Sequence, residues 1–566
     1  MSETEQEQSS FLESFKLWNN PNILQDVIKE MDNVIKEDYP CKLSVFFTGI
    51  SAYLKEPLNT FIRAASGLGK TWNTTKALDF MPETNVLMLG GLSPTALVHE
   101  YGTRYSLTGE KLDDLEKPNK KEYENQTDYK AALHAWKEKL RESYIQVDLQ
   151  GKILVFLESP HPKTFNVLRP ILSHDKYRIS FRITDKTNKG TLQTKHIVIQ
   201  GWPATIFLNA QDQYIEELAT RSFTVSPMQN PEKYVKANVY TTEKANMPWI
   251  EDERLSRLKI FQTFFGQLQC ALESRDVIIP FANLHMFYPA EIPRDMRDYQ
   301  HLLQFIKCIT ALHFYQRVLA KHEGKEYLLA NSQDVMFAWL VFNLIFETTR
   351  AGISQHLLDF YHQIIEQRPK WNGEELTTAY NEAYKPKRSK KTIQRWLGTL
   401  EDLGYITCEE DTEDKRKNNY IPLMKKNGTN RDKTENIQIS LSDLQNGFKT
   451  WLEQSGQKLE FFLYKNREGI AKGRYEQASM GEVEKYVIVN QQFCPDLIQL
   501  ISRPKTETVV KNEANSEMSL SVPNFVGSCW ICGKLLPQDL VGTTVDEGRT
   551  VHLECYKKLK EWLKHE

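Results

Sequence analysis

Short apolar runs at 86–89 and 153–157 read as buried strands, 205–208 reads as a further strand, and the stretch 58–62, broken by Asn59 and Thr60, reads as the first strand. Helix-compatible segments separate them, and that alternation predicts an α/β domain with a mostly parallel sheet. One stretch has a different period: Tyr177, Ile179, Phe181 and Ile183 alternate with polar residues, Asp185-Lys186-Thr187-Asn188-Lys189-Gly190 makes a turn, and 191–199 returns. This is a β-hairpin pattern. Residues 250–350 read as nearly all helix. Further on, Ile393, Trp396, Leu397, Leu400 and Leu403 recur at helical spacing and end at Gly404, a residue free to adopt a left-handed cap. Weaker helical segments at 356–365 and 374–380 precede that helix, and Tyr405-Ile406-Thr407-Cys408 with Asn419-Tyr420-Ile421-Pro422 brackets a charged tip at 409–418.

The chain has 566 residues, 40% hydrophobic and 26% charged, so roughly three or four globular domains are expected. Its net charge of −2 means that any affinity for nucleic acid must come from local patches. The first ten residues are acidic and polar, without a secretory signal, and read as a disordered tail. The densest apolar run, 335–346, is too short to span a bilayer and predicts a buried helix, so no membrane partner is expected. Eight cysteines in a chain this long are not a disulfide framework. The expected setting is intracellular, cytoplasmic or nucleoid-associated.

Chemistry concentrates first after the opening run. Ala64-Ala65-Ser66-Gly67-Leu68-Gly69-Lys70-Thr71 fits the phosphate-loop pattern, with Ala in the first glycine slot. Such a loop cradles phosphate oxygens on backbone N–H groups and on the N-terminus of the next helix. Lys70 would reach the β- and γ-phosphates of ATP, and Thr71 would hold Mg²⁺. The run at 153–157 ends in Glu158, an acid placed to polarise water or hold the metal; a surface Glu opening the next helix is the plainer alternative. A second adjacent acid is missing, because the segment reads Leu157-Glu158-Ser159. The run at 205–208 ends in Asn209, able to position water or simply to start a turn. Arg221, in Thr220-Arg221-Ser222-Phe223, could stabilise transition-state charge or form a surface ion pair with Glu216 or Glu217.

The order of these parts, with Leu168-Arg169-Pro170-Ile171-Leu172 and the hairpin between them, resembles an AAA+ ATPase. It is similar to the branch with a hairpin before the sensor-1 strand, which includes superfamily 3 and minichromosome-maintenance helicases. The resemblance spans about residues 25–320. It implies a P-loop core at 11–240 with a charge-rich helical insertion at 108–147 that lengthens the gap between the two Walker motifs, and a helical lid at 241–350. It further implies that Ala64, Ala65, Ser66, Gly67, Leu68, Gly69, Lys70 and Thr71 bind ATP and Mg²⁺. Glu158 matches the Walker B acid, Asn209 sensor 1, and Arg221 the arginine finger. Arg297 falls nearest the sensor-2 position, with Arg294 the runner-up. Lys186 and Lys189, at the hairpin tip, would grip a DNA backbone without reading its sequence.

Residues 351–425 resemble a winged-helix domain, with helix, helix, helix and β-hairpin in order. Lys385, Lys387, Arg388, Lys390, Lys391 and Arg395 cluster at the start of the third helix, which suits phosphate contacts, and Lys415, Arg416 and Lys417 add a basic wing. A solvated charged helix start, or a winged helix used for protein contacts, is the alternative. Residues 426–504 are mixed and give no role, 505–522 read as a polar linker, and 523–566 carry Cys529-Trp530-Ile531-Cys532 and His552-Leu553-Glu554-Cys555. Cys529, Cys532, His552 and Cys555 make two soft ligand pairs suited to a structural tetrahedral Zn²⁺.

The expected protein is a ring-forming, homo-oligomeric ATP-dependent DNA helicase or translocase of DNA replication. An initiator or helicase loader that uses ATP as a switch, or a transcription regulator with weak ATPase, remains open.

Overall fold

The computed structural model describes residues 3–64, 67–90, 102–112, 118–123, 125–158, 168–185, 193–209, 221–351, 353–384, 387–402, 404–410, 418–423, 439–465 and 474–489, together with four short strands beyond 524. The chain divides into two compact units, 1–504 and 505–566.

The first unit opens with helices α1 (Glu3–Trp18), α2 (Ile23–Val34) and α3 (Tyr39–Ser51). Helix α1 thus covers much of the predicted disordered tail. Its Trp18 explains the order: the ring packs on Phe264 and Phe314, and its Nε1 donates to Gln267 Oε1 at 2.8 Å. Strand β1 (Asn59–Arg63) leads into the phosphate-loop segment, and α4 (Lys70–Leu78) leads out. Strands β2 (Val86–Leu89) and β3 (Thr103–Ser106) follow, then α5 (Gln126–Arg141), β4 (Ser143–Asp148), β5 (Ile153–Phe156), β6 (Arg178–Asp185), β7 (Gln193–Gln200), β8 (Ala204–Asn209) and β9 (Phe223–Val225).

The central sheet has five strands in the order β2-β5-β8-β1-β9, all paired in parallel. Its two faces enter different cores, as the two-residue period of a strand requires. Ile62, Ile153, Val155, Ile206 and Leu208 join the large helical core, while Phe61, Leu154, Phe156 and Phe207 pack with Ile145, Val147, Ile197 and Ile199 of a second sheet. That second sheet has the order β3-β4-β7-β6. The predicted hairpin is its antiparallel β6–β7 pair, in register from Arg178↔Gln200 to Asp185↔Gln193. The insertion predicted to be helical is only partly so: α5 is followed by β4, which pairs in parallel with β7.

Residues 231–489 add α6 (Pro231–Asn246), α7 (Trp249–Leu272), β10 (Arg275–Ile278), α8 (Pro293–Leu312), β11 (Leu319–His322), β12 (Lys325–Leu329) and α9 (Ser332–Ala351). Next come α10 (Gln355–Gln363), β13 (Trp371–Asn372), α11 (Gly373–Ala383), α12 (Lys390–Asp402), β14 (Ile406–Glu410) and β15 (Asn418–Pro422). The unit ends with α13 (Leu441–Gln454), β16 (Glu460–Lys465), β17 (Arg474–Gln477) and α14 (Met480–Val487). The region expected to be nearly all helix therefore carries three strands. They join a sheet of order β10-β12-β11-β16-β17, in which Leu319 faces Phe462. The mixed region after 426 supplies its last two strands. Residues 353–423 stand between as an insertion with their own core of Leu357, Phe360, Leu376, Ile393, Trp396 and Ile406.

In the second unit, Phe525–Ser528 pairs with Leu535–Pro537, and Thr544–Val545 with Arg549–Thr550. The linker and all four candidate zinc ligands lie outside the described residues. Among the described residues no group of His, Cys, Asp or Glu is gathered as a metal site, and no helix is long and apolar enough to cross a membrane.

Candidate functional site

The chain leaves β1 for the far edge strand β2, fills back through β5 and β8, and then crosses to β9 on β1's other side. The connections diverge at β1, and ligands of open parallel sheets bind at such a point, beyond the carboxyl ends of the strands. The segment following β1 at that edge is 64–69.

Its conformation suits an anion. Gly67 and Gly69 have φ of 88° and 86°, a region that residues with a Cβ enter only with strain. Gly69 caps α4, whose first residues are Lys70 and Thr71, so the N–H groups of the helix's first turn and the positive end of its dipole sit at the loop. Lys70 lies over the loop, its Nζ donating to Ala64 O at 2.6 Å. Thr71 is exposed. Ala65 and Ser66 lie outside the described residues.

Two more predicted residues come to the same edge. The register pairs Arg63, the last residue of β1, with Asn209, the last of β8. Phe156 of β5 is level with Phe207. Glu158, two residues past Phe156, therefore reaches the level of Asn209, and it is exposed. Loop, Asn209 and Glu158 thus line the carboxyl ends of three adjacent strands. The site offers backbone donors and a cation for phosphates, with hydroxyl and carboxylate oxygens of the kind that hold Mg²⁺.

Arg221 is elsewhere. Phe223 pairs with Thr60, so Arg221 enters near the level of Leu58, at the amino edge of the sheet. At about 3.3 Å per residue, that is roughly 20 Å from Ala64. Arg221 Nη1 donates to Asp175 Oδ2 at 3.2 Å; Glu216 and Glu217 lie outside the described residues. A hydrogen bond from Ser173, with the charge of Arg221, holds the Asp175 carboxyl below its usual range. Neighbouring His174 is pushed down to about 4, chiefly by burial.

Arg294 belongs to the same edge: it donates to Ser222 O at 2.9 Å and to buried Asp298 at 3.1 Å. Arg297, three residues on along α8, is exposed.

The basic cluster divides by role. Lys387, Lys391 and Arg395 are exposed on or beside α12, opposite Ile393, Trp396 and Leu397. Lys390 pairs with Glu374 at 2.7 Å. Arg388 is half-buried, and its backbone is clasped by Asn381, which donates to its carbonyl at 3.0 Å and accepts from its N–H at 2.6 Å. Lys186, Lys189, Lys385 and the basic wing at 415–417 lie outside the described residues.

No family model matches this chain, and no curated protein matches it. Among solved structures, the chain is similar to the crystal structure of Cdc6p from Pyrobaculum aerophilum, with 14% identity and a TM-score of 0.18 over 74% of this chain and 96% of that one. So low an identity and TM-score add nothing to what the strand order and the loop themselves show.

Proposed function

We propose that this chain is a DNA-binding ATPase of the AAA+ type, in which ATP acts as a switch for assembly on DNA, as in an initiator or helicase loader. The observation that carries this is the loop at the topological switch point, with Asn209 ending the adjacent strand β8 and Glu158 just past the end of β5, the next strand over. Lys70 and the loop N–H groups bind the phosphates, Thr71 and Glu158 supply oxygens for Mg²⁺, and Glu158 with Asn209 orients the attacking water. Magnesium, when bound, neutralises charge on the phosphates. The roughly 20 Å between Arg221 and its own loop supports a role on a neighbouring subunit, and hence a homo-oligomer. Residues 353–423 supply DNA contact through α12 as a winged helix, and Cys529, Cys532, His552 and Cys555 hold a structural zinc.

The translocase reading has its own support in β6–β7, a hairpin paired over eight residues per strand that would carry Lys186 and Lys189 at its tip. One experiment separates the two: ATP hydrolysis and strand displacement on a forked DNA, with native mass measured in parallel. DNA-linked, ATP-dependent oligomerisation without displacement is expected. Directional unwinding would transfer the assignment to the motor, and the absence of ATP binding would overturn both.

A further inference from the structure

Behind the loop lies a buried ion pair that none of the predicted motifs includes. Asp38 is fully buried, and Lys233, in the first turn of α6, is nearly so. Lys233 Nζ donates to Asp38 Oδ2 at 2.5 Å, to Met228 O at 3.1 Å and to Leu68 O, within the phosphate loop, at 3.4 Å. Asp38 also accepts from Met228 N at 2.9 Å and from Asn73 Nδ2 of α4. One carboxylate thus ties together α3, the phosphate-loop helix and the chain entering α6. The turn that delivers it is strained: Glu37 and Asp38 have consecutive φ of 55° and 52°. Non-glycine residues hold such angles only where the surroundings over-determine them, and here the donors to Asp38 do so.

The contact with Leu68 O has a directional consequence. A trans peptide is planar, with its C=O and N–H pointing opposite ways. Lys233 draws the Leu68 carbonyl inward, so the Gly69 N–H of the same peptide points outward, toward the place a phosphate would take. A loop peptide flipped the other way would present an oxygen to the phosphate and repel it.

We propose that Lys233, held by Asp38, is a positioning residue that sets the Leu68–Gly69 peptide for phosphate binding. The inference rests on the phosphate-loop reading of 64–71. A second ion pair serves as its control: one turn further along α6, Lys236 pairs with Glu37 at 2.5 Å, and no hydrogen bond to the loop is found for it among the described residues.

The test measures ATP affinity of the full-length protein by calorimetry, with circular dichroism and melting alongside. Lys233→Met should weaken ATP about tenfold or more, Lys233→Arg should recover to within about threefold, and Lys236→Met should stay within about twofold of wild type. A role confined to stability would move Lys233→Met and Lys236→Met in melting but not in affinity. Should Lys233→Met fail to fold, Asp38→Asn/Lys233→Met removes both buried charges and is read the same way. Wild-type affinity in the Lys233 variant, where Lys70→Ala has lost binding, would overturn the inference and leave the loop reading intact. Wild-type affinity in Lys70→Ala would overturn the loop reading itself, and the inference with it.

Discussion

The phosphate-loop edge and the 353–423 insertion are built on opposite plans. At the first, Lys70, Glu158 and Asn209 follow or end strands far apart in sequence, whose carboxyl ends the register of a parallel sheet brings level. In the second, α10, α11, α12 and the β14–β15 hairpin follow one another and close a private core around Trp396. On the proposed function, the first depends on a few groups at fixed positions, so single changes should act in an all-or-none manner. The second would depend on charge spread over an exposed helix face, so changes should be graded and sensitive to salt.

The largest effect expected is a double dissociation. Lys70→Ala should lower ATP turnover about a thousandfold, about 4 kcal/mol of transition-state stabilisation, with melting and nucleotide-free DNA affinity nearly unchanged. Trp396 packs against His356, Phe360 and Tyr380, and its truncation should destabilise the insertion by about 3–5 kcal/mol. Proteolysis within 353–423 and loss of DNA binding should follow, while DNA-free ATP turnover persists. If Trp396→Ala also extinguished turnover, the two regions would not be independent, and the contrast would collapse.

The same contrast explains what was legible in the sequence. The insertion was readable almost throughout, because its helix faces, the Gly404 stop and the paired strands are local signals; Tyr405 N donates to Leu400 O at 2.8 Å across that stop, as a glycine-ended helix does. The place of the loop after β1 was readable from its motif, and the places of Glu158 and Asn209 because each ends an apolar run. What escaped depends on distant partners. Strand β4, with Ile145 and Val147 facing inward, does alternate in the sequence, but the charged helix before it dominated the window. Strands β10 to β12 are only four or five residues long, lie between long helices, and are completed by β16 and β17 from beyond residue 459. Asp38 and Lys233 are 195 positions apart, and nothing near either one announces the other.

Acid tests the body of the molecule by a different route. Burial pushes His313, and likewise His174, down to about 4, below the ordinary 6.5 of the unfolded chain. The unfolded state therefore binds more protons between those values. The stabilisation is complete above about pH 6.5 and is lost as pH falls toward about 4, by on the order of 3 kcal/mol for each group. Thermal melting should show that decline over this window. His313→Gln, which has no proton to gain, should flatten it, and an unaltered slope would remove His313 from the account.

The smallest effects belong to α12, and they separate contact residues from braces. Lys391 and Arg395 are exposed, four positions apart, and so lie on one helix face. If that face meets DNA phosphates, Lys391→Ala or Arg395→Ala should weaken binding severalfold at moderate salt. Each should also reduce the slope of log affinity against log salt by about one, since each neutralised phosphate releases its counterions. Arg388 should behave otherwise despite an equal charge. Half-buried, with its backbone gripped by Asn381, it is part of the insertion's frame, so Arg388→Ala should lower melting and leave the salt slope unchanged. Lys390, engaged with Glu374 at the surface, should fall between, because exposed pairs contribute under about 1 kcal/mol and open readily. Equal slope changes for Arg388 and Arg395 would mean that the cluster acts by total charge alone, and that the arrangement on the helix carries no information.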